Sequence, residues 1–262
     1  MTETPKRYYG FNRQHSDHRD DVYASPFLSL APAAMPAKYD LLDLMPAVYD
    51  QGDKGECVIH SGSAMVEAVW KKEGLPLFMP SRNFWYNNCR NADSTPLSND
   101  SGTTNRTAWS VLKRFGVCEE ELWPYDDYHF DTEPTAECYT AAIKHEAVRY
   151  GQVQQNPLAM KAALLANQPI QIGFSVYTYF ESTQMAKDGV LSYPKFYESM
   201  LGGHSVLVCG YDDTIPTNDG NGAFLVRNSW SANWANAGNF WMSYKYALSQ
   251  LSSDFWTLFQ VK

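Results

Sequence analysis

The pattern of apolar residues changes about halfway along the 262-residue chain, and this change limits the fold more than any other feature. The run from Cys57 to Lys72 is apolar or small almost all round, which is typical of a buried helix. A second helix is predicted after Ser81, an N-cap residue, and a third from Asn105 to Phe115, where apolar residues share one face. The first half is therefore predicted to be helical.

Beyond about residue 135 the pattern turns to alternation. After one more helical stretch, Asn156 and Pro157 supply the cap and the first turn of a helix that reaches Leu165. Strands are then predicted over residues 169–177, 205–211, 223–228 and 239–244, with Asp219-Gly220-Asn221-Gly222 as a hairpin turn. Helices followed by strands predict an α+β fold.

The composition is that of a globular protein, with 44% hydrophobic and 19% charged residues. The net charge is −8 and no basic cluster is present, so neither nucleic acid nor an anionic membrane is expected as a partner. No run approaches the roughly 18 apolar residues of a membrane span, and residues 1–8 lack the apolar core of a signal peptide. A cytoplasmic location is expected, with delivery by another route left open.

Five cysteines are spread along the chain, and their odd number leaves at least one thiol without an intrachain partner: Cys57, Cys89, Cys118, Cys138 and Cys209. No C-x-x-C pair or His/Cys cluster is present, which argues against a zinc ribbon and a thioredoxin-like site. The motifs G-x-x-x-x-G-K-S/T, G-x-G-x-x-G, G-x-S-x-G and H-E-x-x-H are also missing from the sequence. Nucleotide hydrolysis, dinucleotide binding, serine esterase and zinc protease chemistry therefore have no support.

Cys57 differs from the other cysteines because it opens the predicted buried helix, directly after the glycine-containing stretch 51–56. A helix N-terminus favours a thiolate, and such a cysteine is a nucleophile when a cationic partner is near. A buried structural cysteine after a glycine turn is equally common, so this position alone decides nothing. His204, at the start of a predicted strand, and Asn228, in an Asn-Ser-Trp sequence at the end of another, supply suitable partners.

In these residues the chain resembles the papain-like (C1 family) cysteine peptidases. Their pattern is a glutamine shortly before the nucleophile, a Gly-His at a strand start and a later Asn-Ser-Trp. Gln51, Gly203-His204 and Asn228-Ser229-Trp230 match this pattern in the same order. Residues 120–125 resemble the family's Tyr-Pro-Tyr segment, and the similarity covers about residues 45–262.

The resemblance implies a papain-like two-lobed fold, with the active site in the cleft between the lobes and with no metal or organic cofactor. Residues 41–135 would form a helical lobe that carries the cysteine, and residues 136–262 an antiparallel, β-barrel-like lobe that carries the histidine and the asparagine. Residues 1–40 would form an N-terminal extension. Its residues 8–29 are expected to lie across or beside the cleft, or else to pack on the back of a lobe.

The resemblance also implies a role for each site residue. Cys57 would be the nucleophile, His204 the general base and Asn228 the residue that orients the imidazole. Gln51 and the backbone N–H of Cys57 would form the oxyanion hole. The substrate groove would be lined by Gly102, Gly203 and Trp230, of which the tryptophan also shields the hydrogen bond between histidine and asparagine.

Departures from the family pattern lie next to the nucleophile. The family's Cys-Gly-Ser-Cys-Trp is Lys54-Gly55-Glu56-Cys57-Val58 here, and residues 101–105 stand where the family has Gly-Cys-Asn-Gly-Gly. The loss of these disulfide cysteines fits a reducing compartment. Glu56 places an anion beside the thiolate and opposes it, unless its side chain faces water, where screening makes the effect small.

The predicted function is that of a cysteine endopeptidase restrained by its N-terminal segment. It would be a monomer that cleaves a peptide or protein substrate through a thiolate–imidazolium pair and a thioester acyl-enzyme. Two alternatives use the same scaffold. One is a catalytically impaired binding protein, and the other is an acyl or amide transferase, such as a deamidase or a transpeptidase, with the same three residues.

Overall fold

The protein is described here by a computed structural model that covers residues 7–30 and 34–261. The prediction about a leader concerns residues 1–8, of which the first six lie outside the described residues. The predicted extension 1–40 is likewise described only from residue 7 and without residues 31–33. Within the described ranges, no helix is long and apolar enough to cross a membrane.

The helices predicted from the sequence are confirmed, and shorter ones are added. The α-helices are α1 (Cys57–Lys72), α2 (Arg82–Ala92), α3 (Asn105–Phe115), α4 (Asp127–Asp131), α5 (Ala136–Ala142), α6 (Pro157–Leu165), α7 (Thr183–Asp188) and α8 (Tyr244–Ala247). Two 3-10 helices cover Leu42–Leu44 and Thr178–Glu181. Side-chain caps fix the starts of α2, α3 and α6, because Ser81, Thr104 and Asn156 each accept a backbone N–H of the first turn.

The strands form one mixed sheet. They are β1 (Lys38–Asp40), β2 (Ala147–Gln152), β3 (Ile170–Tyr177), β4 (Val190–Leu191), β5 (Met200–Thr217), β6 (Gly220–Arg227), β7 (Asn239–Ser243) and β8 (Ser252–Val261). The order is β2-β8-β3-β5-β6-β7-β4, and β1 pairs with β5. All pairs are antiparallel except β4 with β7, so the fold is α+β with an open sheet.

Four of the strands do not follow from the sequence pattern. The predicted strands correspond to β3, β5, β6 and β7, and β5 extends beyond its predicted ends. β1, β2, β4 and β8 were not predicted. β2 is an edge strand whose residues are mostly half-exposed, and β8 begins with Ser252-Ser253-Asp254, where Asp254 has a positive φ of 58° and the register shifts. Neither segment shows the clean alternation that a half-buried strand requires.

Helix α1 is the central element of the core. Its residues from Cys57 to Trp70 are buried, apart from Glu67, as the apolar pattern predicts. The helix packs against α2 and α3 and also against β5 and β8. Gln171 of β3 ties it to the sheet, because its amide donates to the Val58 carbonyl at 2.7 Å and to Ser61 Oγ at 2.8 Å. The start of α1 is thereby fixed relative to β3 and β5.

Residues 7–30, here called the front segment, run over this core through turns and isolated bridges. Phe11 bridges to Thr103 in the parallel sense, and Val22 bridges to Gln152. Asp20 accepts hydrogen bonds from Arg106 at 2.5 Å and from Gln152 at 2.6 Å. The segment therefore lies against the loop before α3, α3 itself and β2.

The cap of α6 gives a test of local folding away from the cleft. Asn156 Oδ1 accepts the N–H of Ala159 at 2.8 Å. We expect Asn156→Ala to lower the free energy of unfolding by about 1 kcal/mol in urea titration, because a first-turn donor loses its partner. Asn156→Ser is the control, since serine restores an acceptor, and equal losses in the two variants would contradict the role of the cap.

Candidate active site

The fold brings together the three residues that were predicted to carry the chemistry. Cys57 is the first residue of α1, His204 lies in β5 opposite Phe174, and Asn228 directly follows β6. Because β5 and β6 are neighbours in the sheet, Asn228 Oδ1 lies 2.8 Å from His204 Nε2. On the other side of His204, the N–H of Ser205 donates to Cys57 Sγ at 3.4 Å. The thiol, the imidazole and the amide thus occupy one site.

Aromatic rings surround the imidazole. The rings of His204 and Trp230 have centroids 5.3 Å apart, and Phe180 packs behind Trp230 at 5.0 Å. Phe174 meets His204 at 5.8 Å from β3. Trp230 is only 4% exposed and lies beside the imidazole that donates to Asn228. The shielding role that the sequence resemblance implied stays a prediction.

Cys57 and His204 are both fully buried, with 0% exposure. Burial raises the pKa of the Cys57 thiol to about 11, although the backbone amides of Ser205, Gly10 and Val58 act in the opposite direction. Burial lowers the pKa of His204 to about 4, against the effect of the hydrogen bond that its ring donates to Asn228. In this covered state the pair consists of a neutral thiol and a neutral imidazole at neutral pH.

Several polar atoms of the site have no hydrogen-bond partner among the described residues. They are His204 Nδ1, Asn228 Nδ2 and Trp230 Nε1. Since Nε2 of His204 is engaged by Asn228, Nδ1 is the nitrogen left for the thiol, and it is not hydrogen-bonded to Cys57 here. The thiolate–imidazolium pair expected from the sequence is therefore not formed in the covered state.

The backbone of Gly10 covers the thiol. Its carbonyl accepts the N–H of Thr103 at 2.9 Å, and a Cβ atom added to Gly10 would lie 1.7 Å from the carbonyl oxygen of Gly55. On the opposite side, a Cβ on Gly102 would lie 2.0 Å from the Gly10 oxygen. Gly102 also has a positive φ of 67°, which favours glycine. The three glycines meet backbone to backbone, and no side chain fits between them.

The residues on either side of Gly10 fill the rest of the site. The Tyr9 ring meets His204 edge-on at 5.8 Å, and its hydroxyl donates to Glu181 Oε1 at 2.5 Å. Phe11 N–H donates to the Gly203 carbonyl at 3.1 Å, and its ring occupies the space where Gly173 has no side chain. Both glycines predicted to line the groove, Gly102 and Gly203, thus contact the front segment.

Arg7 anchors the front segment before Tyr9 through three contacts. The Arg7 guanidinium lies 5.1 Å above the Trp230 ring and donates to Asp50 at 3.2 Å and to the Gly52 carbonyl at 2.9 Å. The sequence predicted that residues 8–29 lie near the cleft or behind a lobe, but it gave no sign of which residues would touch the nucleophile. One feature of the sequence could have indicated it. Gly10 is the single glycine of the front segment, and a close approach of two backbones requires a residue without a side chain.

Gln51 lies on the loop that precedes Cys57 and is 1% exposed. Its amide nitrogen donates to the Lys54 carbonyl at 2.8 Å, and its oxygen accepts from Ser229 Oγ at 2.5 Å. Ser229 directly follows Asn228, so the Gln51 side chain connects the loop before the nucleophile to the strand end that carries the asparagine. Its amide has a fixed orientation.

The Glu56 side chain does not face water, contrary to the condition under which its charge would be screened. It is 0% exposed, and both carboxyl oxygens lack hydrogen-bond partners among the described residues. Burial raises the pKa of Glu56 to about 8, while the charge of Arg90 acts in the opposite direction. The carboxyl is therefore mainly protonated at neutral pH, and its opposition to a thiolate is weak for that reason and not through screening.

Comparisons with known proteins agree on one family. The family described as papain family cysteine protease matches residues 35–255. A peptidase C1-like protein of Acanthamoeba polyphaga mimivirus is 32% identical over 99% of this chain and 89% of its own length. The crystal structure of xylellain, a cysteine protease from Xylella fastidiosa, superposes with a TM-score of 0.87 at 32% identity and covers 100% of this chain and 99% of that one.

More distant relatives support the same grouping. Cathepsin B-like CP3 of Giardia intestinalis is 27% identical over 90% of this chain and 81% of its own length. The structure of procathepsin B from Trypanosoma congolense superposes with a TM-score of 0.75 over 95% of this chain and 85% of that one. At 17% identity this second likeness concerns the fold alone.

The buried carboxyl of Glu56 predicts a pH dependence of stability. The unfolded chain loses the proton near pH 4.5, whereas the folded chain keeps it up to about pH 8, so stability contributed by the protonated group falls as the pH rises through this window. The Glu56→Gln variant does not lose stability in this way, because the glutamine side chain has no proton to release over this pH range. We expect its unfolding free energy, relative to the parent, to rise between pH 5 and pH 8 by on the order of 1–4 kcal/mol.

Urea titrations of both proteins at the two pH values measure this difference. Glu73→Gln, at the exposed end of α1, is the matched control for the removal of one glutamate. The interpretation is wrong if Glu56→Gln differs from the parent by the same amount at pH 5 and pH 8.

Proposed function

The chain belongs to the papain family of cysteine proteases, and from this membership we propose that it hydrolyses peptide bonds through Cys57, His204 and Asn228. The observation that carries the proposal is the hydrogen bond of 2.8 Å that orients the imidazole beside the first residue of α1. In this arrangement Asn228 leaves Nδ1 of His204 as the nitrogen that exchanges a proton with the thiol.

The chemistry proceeds in two halves. His204 takes the proton of Cys57, and the thiolate attacks the carbonyl carbon of the scissile bond. The tetrahedral oxyanion then collapses, the C–N bond breaks, and the imidazolium gives its proton to the leaving amine. In the second half His204 takes a proton from water, hydroxide attacks the thioester, and the thiolate leaves as the acid is released. Protons and electrons balance without any further reactant.

Gln51 is proposed as a donor to the oxyanion, together with the backbone N–H of Cys57. Its fixed orientation through Ser229 and Lys54 supports this role, because a preorganised donor stabilises developing charge without reorganisation. Trp230, Gly102 and Gly203 are proposed to line the groove. The support for the two glycines is that the front segment already pairs there with its own backbone.

We also propose that the front segment restrains the enzyme. Gly10 and Tyr9 occupy the space in front of Cys57 and His204, where a substrate must lie, and both catalytic groups are shielded from water. Burial then favours the neutral thiol and the neutral imidazole. Displacement of the segment hydrates both groups, which lowers the thiol pKa, raises the imidazole pKa and favours the ion pair.

The front segment presents an N–H group, and not a carbonyl carbon, to the thiol. The backbone N–H of Gly10 donates a hydrogen bond to the sulfur of Cys57. Because the peptide bond between Tyr9 and Gly10 is trans, the carbonyl of Tyr9 points away from the sulfur. The carbonyl of Gly10 is bonded to Thr103. The thiol thus faces an N–H group, whereas attack requires a carbonyl carbon with its oxygen near the oxyanion donors.

Substrate, assembly and location complete the proposal. We propose a peptide or protein substrate, a monomeric enzyme and a cytoplasmic location. The five cysteines support a reducing compartment because each is a free, buried thiol. A binding protein and an acyl or amide transferase remain as outcomes that the experiments below distinguish from a peptidase.

Opening the cleft by one substitution tests both the function and the restraint. Gly10→Val in the full-length chain places a branched side chain where even a Cβ would lie 1.7 Å from the Gly55 oxygen, so the segment must leave. We expect at least a tenfold increase in kcat/KM for a peptide substrate and faster alkylation of Cys57 by iodoacetamide at pH 7. Peptide cleavage and mass-spectrometric mapping of the adduct measure the two effects.

Ser16→Val is the matched control, because Ser16 is an exposed residue of the same segment. The Gly10→Val chain is called the opened chain below. Cys57→Ala in the opened chain should abolish turnover. Faster alkylation without cleavage would indicate the binding protein, and an amide product with an added amine acceptor would indicate a transferase. Equal kcat/KM in the full-length chain, in Gly10→Val and in a chain that begins near Lys38 would dismiss the restraint.

The oxyanion role of Gln51 predicts a separate effect. Gln51→Ala in the opened chain should lower kcat at least tenfold, because one oxyanion donor is typically worth on the order of 10²–10³ in rate. Ser229→Ala is the control for stability, since it removes the bond to the Gln51 oxygen but keeps the donor. If kcat stays the same in Gln51→Ala, or falls equally in both variants, Gln51 is not an oxyanion donor.

A further inference from the structure

The two sides of the cleft in front of Cys57 are separate pieces of chain. On one side is the nucleophile loop, residues 51–56, and on the other is the binding edge, residues 101–103, which pairs with the front segment. Elements of regular structure do not join them directly, since the loop precedes α1 and the edge precedes α3. Something else must fix their separation.

The carboxylate of Asp100 connects the two sides. Its Oδ2 accepts the N–H of Gly55 in the nucleophile loop at 2.7 Å. Its Oδ1 accepts the hydroxyl of Tyr86 at 2.7 Å, and that hydroxyl accepts the N–H of Gly102 in the binding edge at 2.8 Å. Tyr86 is fully buried in α2, with the Arg90 guanidinium 4.3 Å above its ring. One carboxylate thereby holds both walls through short, charge-assisted hydrogen bonds.

The gap between these walls has the thickness of one peptide backbone. Gly10 lies in it, so close to Gly55 on one side and to Gly102 on the other that neither neighbour leaves room for a Cβ. A change of a few tenths of an ångström in the gap would therefore alter how any backbone is presented to Cys57. The hydrogen bonds of Asp100 span this gap, since they link Gly55 on one side to Gly102 on the other through Tyr86.

The charge of Asp100 does not favour ionisation of the Cys57 thiol. The negative charge raises the pKa of Cys57 and so disfavours the thiolate. A residue that opposes ionisation of the nucleophile, yet bonds to both walls beside it, acts through geometry. The effect of Asp100 on substrate alignment and its effect on the thiol pKa therefore have opposite signs, so experiments can tell them apart.

We propose that Asp100 is a positioning residue, which holds the nucleophile loop at a fixed distance from the binding edge so that a peptide backbone between them meets Cys57 in register. The proposal rests on the proposed function, because the binding edge is taken to pair with substrate. It assigns to one carboxylate a connection between the walls that in this chain involves no disulfide.

The test compares two readouts in the full-length Gly10→Val chain. Asp100→Asn should lower kcat/KM for a peptide about tenfold, because asparagine has a single accepting oxygen and cannot accept both the Gly55 N–H and the Tyr86 hydroxyl as the carboxylate does. Alkylation of Cys57 by iodoacetamide at pH 7 should stay equal or become faster, since a charge that raises the thiol pKa is gone. A parallel fall in both rates, or an unchanged kcat/KM, would overturn the proposal.

Two further variants separate the network from general damage. Tyr86→Phe should also lower kcat/KM, and the double variant should be no worse than Asp100→Asn alone, because both changes break the same connection. Asp93→Asn is the matched control. Asp93 accepts the hydroxyls of Thr103 and Thr107, so it holds the same edge but makes no bond to the nucleophile loop.

Amide hydrogen exchange gives a measurement that does not depend on turnover. It is made in the full-length chain that keeps Gly10, with and without the substitutions at Asp100 and Asp93. Asp100→Asn should speed exchange at Gly55 and Gly102 at least tenfold, and Asp93→Asn should not. If exchange at Gly102 is unchanged in Asp100→Asn, the connection between the walls is absent. A Gly10→Val chain that cleaves no peptide, combined with the expected exchange pattern, would reject the proposed function and keep the connection.

Discussion

The exclusion of water from Cys57 and His204 is the constraint on which the behaviour of this protein depends. A pKa of about 11 for the thiol and about 4 for the imidazole, against usual values of 9.0 and 6.5, means that each ionised form costs on the order of 3 kcal/mol more than in water. The thiolate–imidazolium pair of the proposed mechanism must overcome both costs. Cys57 and His204 are thus coupled to the front segment through solvent, because the residues that cover them also keep the thiol and the imidazole neutral.

The front segment is held by many contacts of modest strength and one strict steric fit. The ion pair of Arg7 with the half-exposed Asp50 is worth at most about 1 kcal/mol. The pair of Arg106 with Asp20 is less exposed, and the Tyr9 hydroxyl adds one hydrogen bond to Glu181. None of these contacts alone can decide the position of the segment. The backbone contact at Gly10 differs, because it tolerates no added atom, and it lies at the nucleophile itself.

The sequence predicted the parts of this structure that rest on local signals. Helices α1, α2, α3 and α6 begin where a cap residue or a helix-breaking turn stands in the sequence. The three side chains brought together by α1, β5 and β6 were identified from their order along the chain. Strand β8 was missed because its first residues are polar and Asp254 breaks the register. The burial of Glu56 was missed as well, since whether the carboxyl meets water is decided by packing against residues that are distant in the sequence. Contacts between residues far apart in the chain, such as Gly10 with Gly55, leave no periodic pattern to find.

The unpaired polar atoms of the site follow from the same covering. Native interiors rarely leave a buried donor or acceptor without a partner. Here His204 Nδ1 and Asn228 Nδ2 are both buried and without partners among the described residues, next to a thiol that is equally buried. Each such group costs about 1–3 kcal/mol in a closed interior. The contacts of the front segment must offset this cost, so the net free energy that holds the segment over Cys57 and His204 is smaller than the sum of its contacts. The restraint proposed above therefore requires only that modest interactions be lost, and not that the sheet and helices behind the segment unfold.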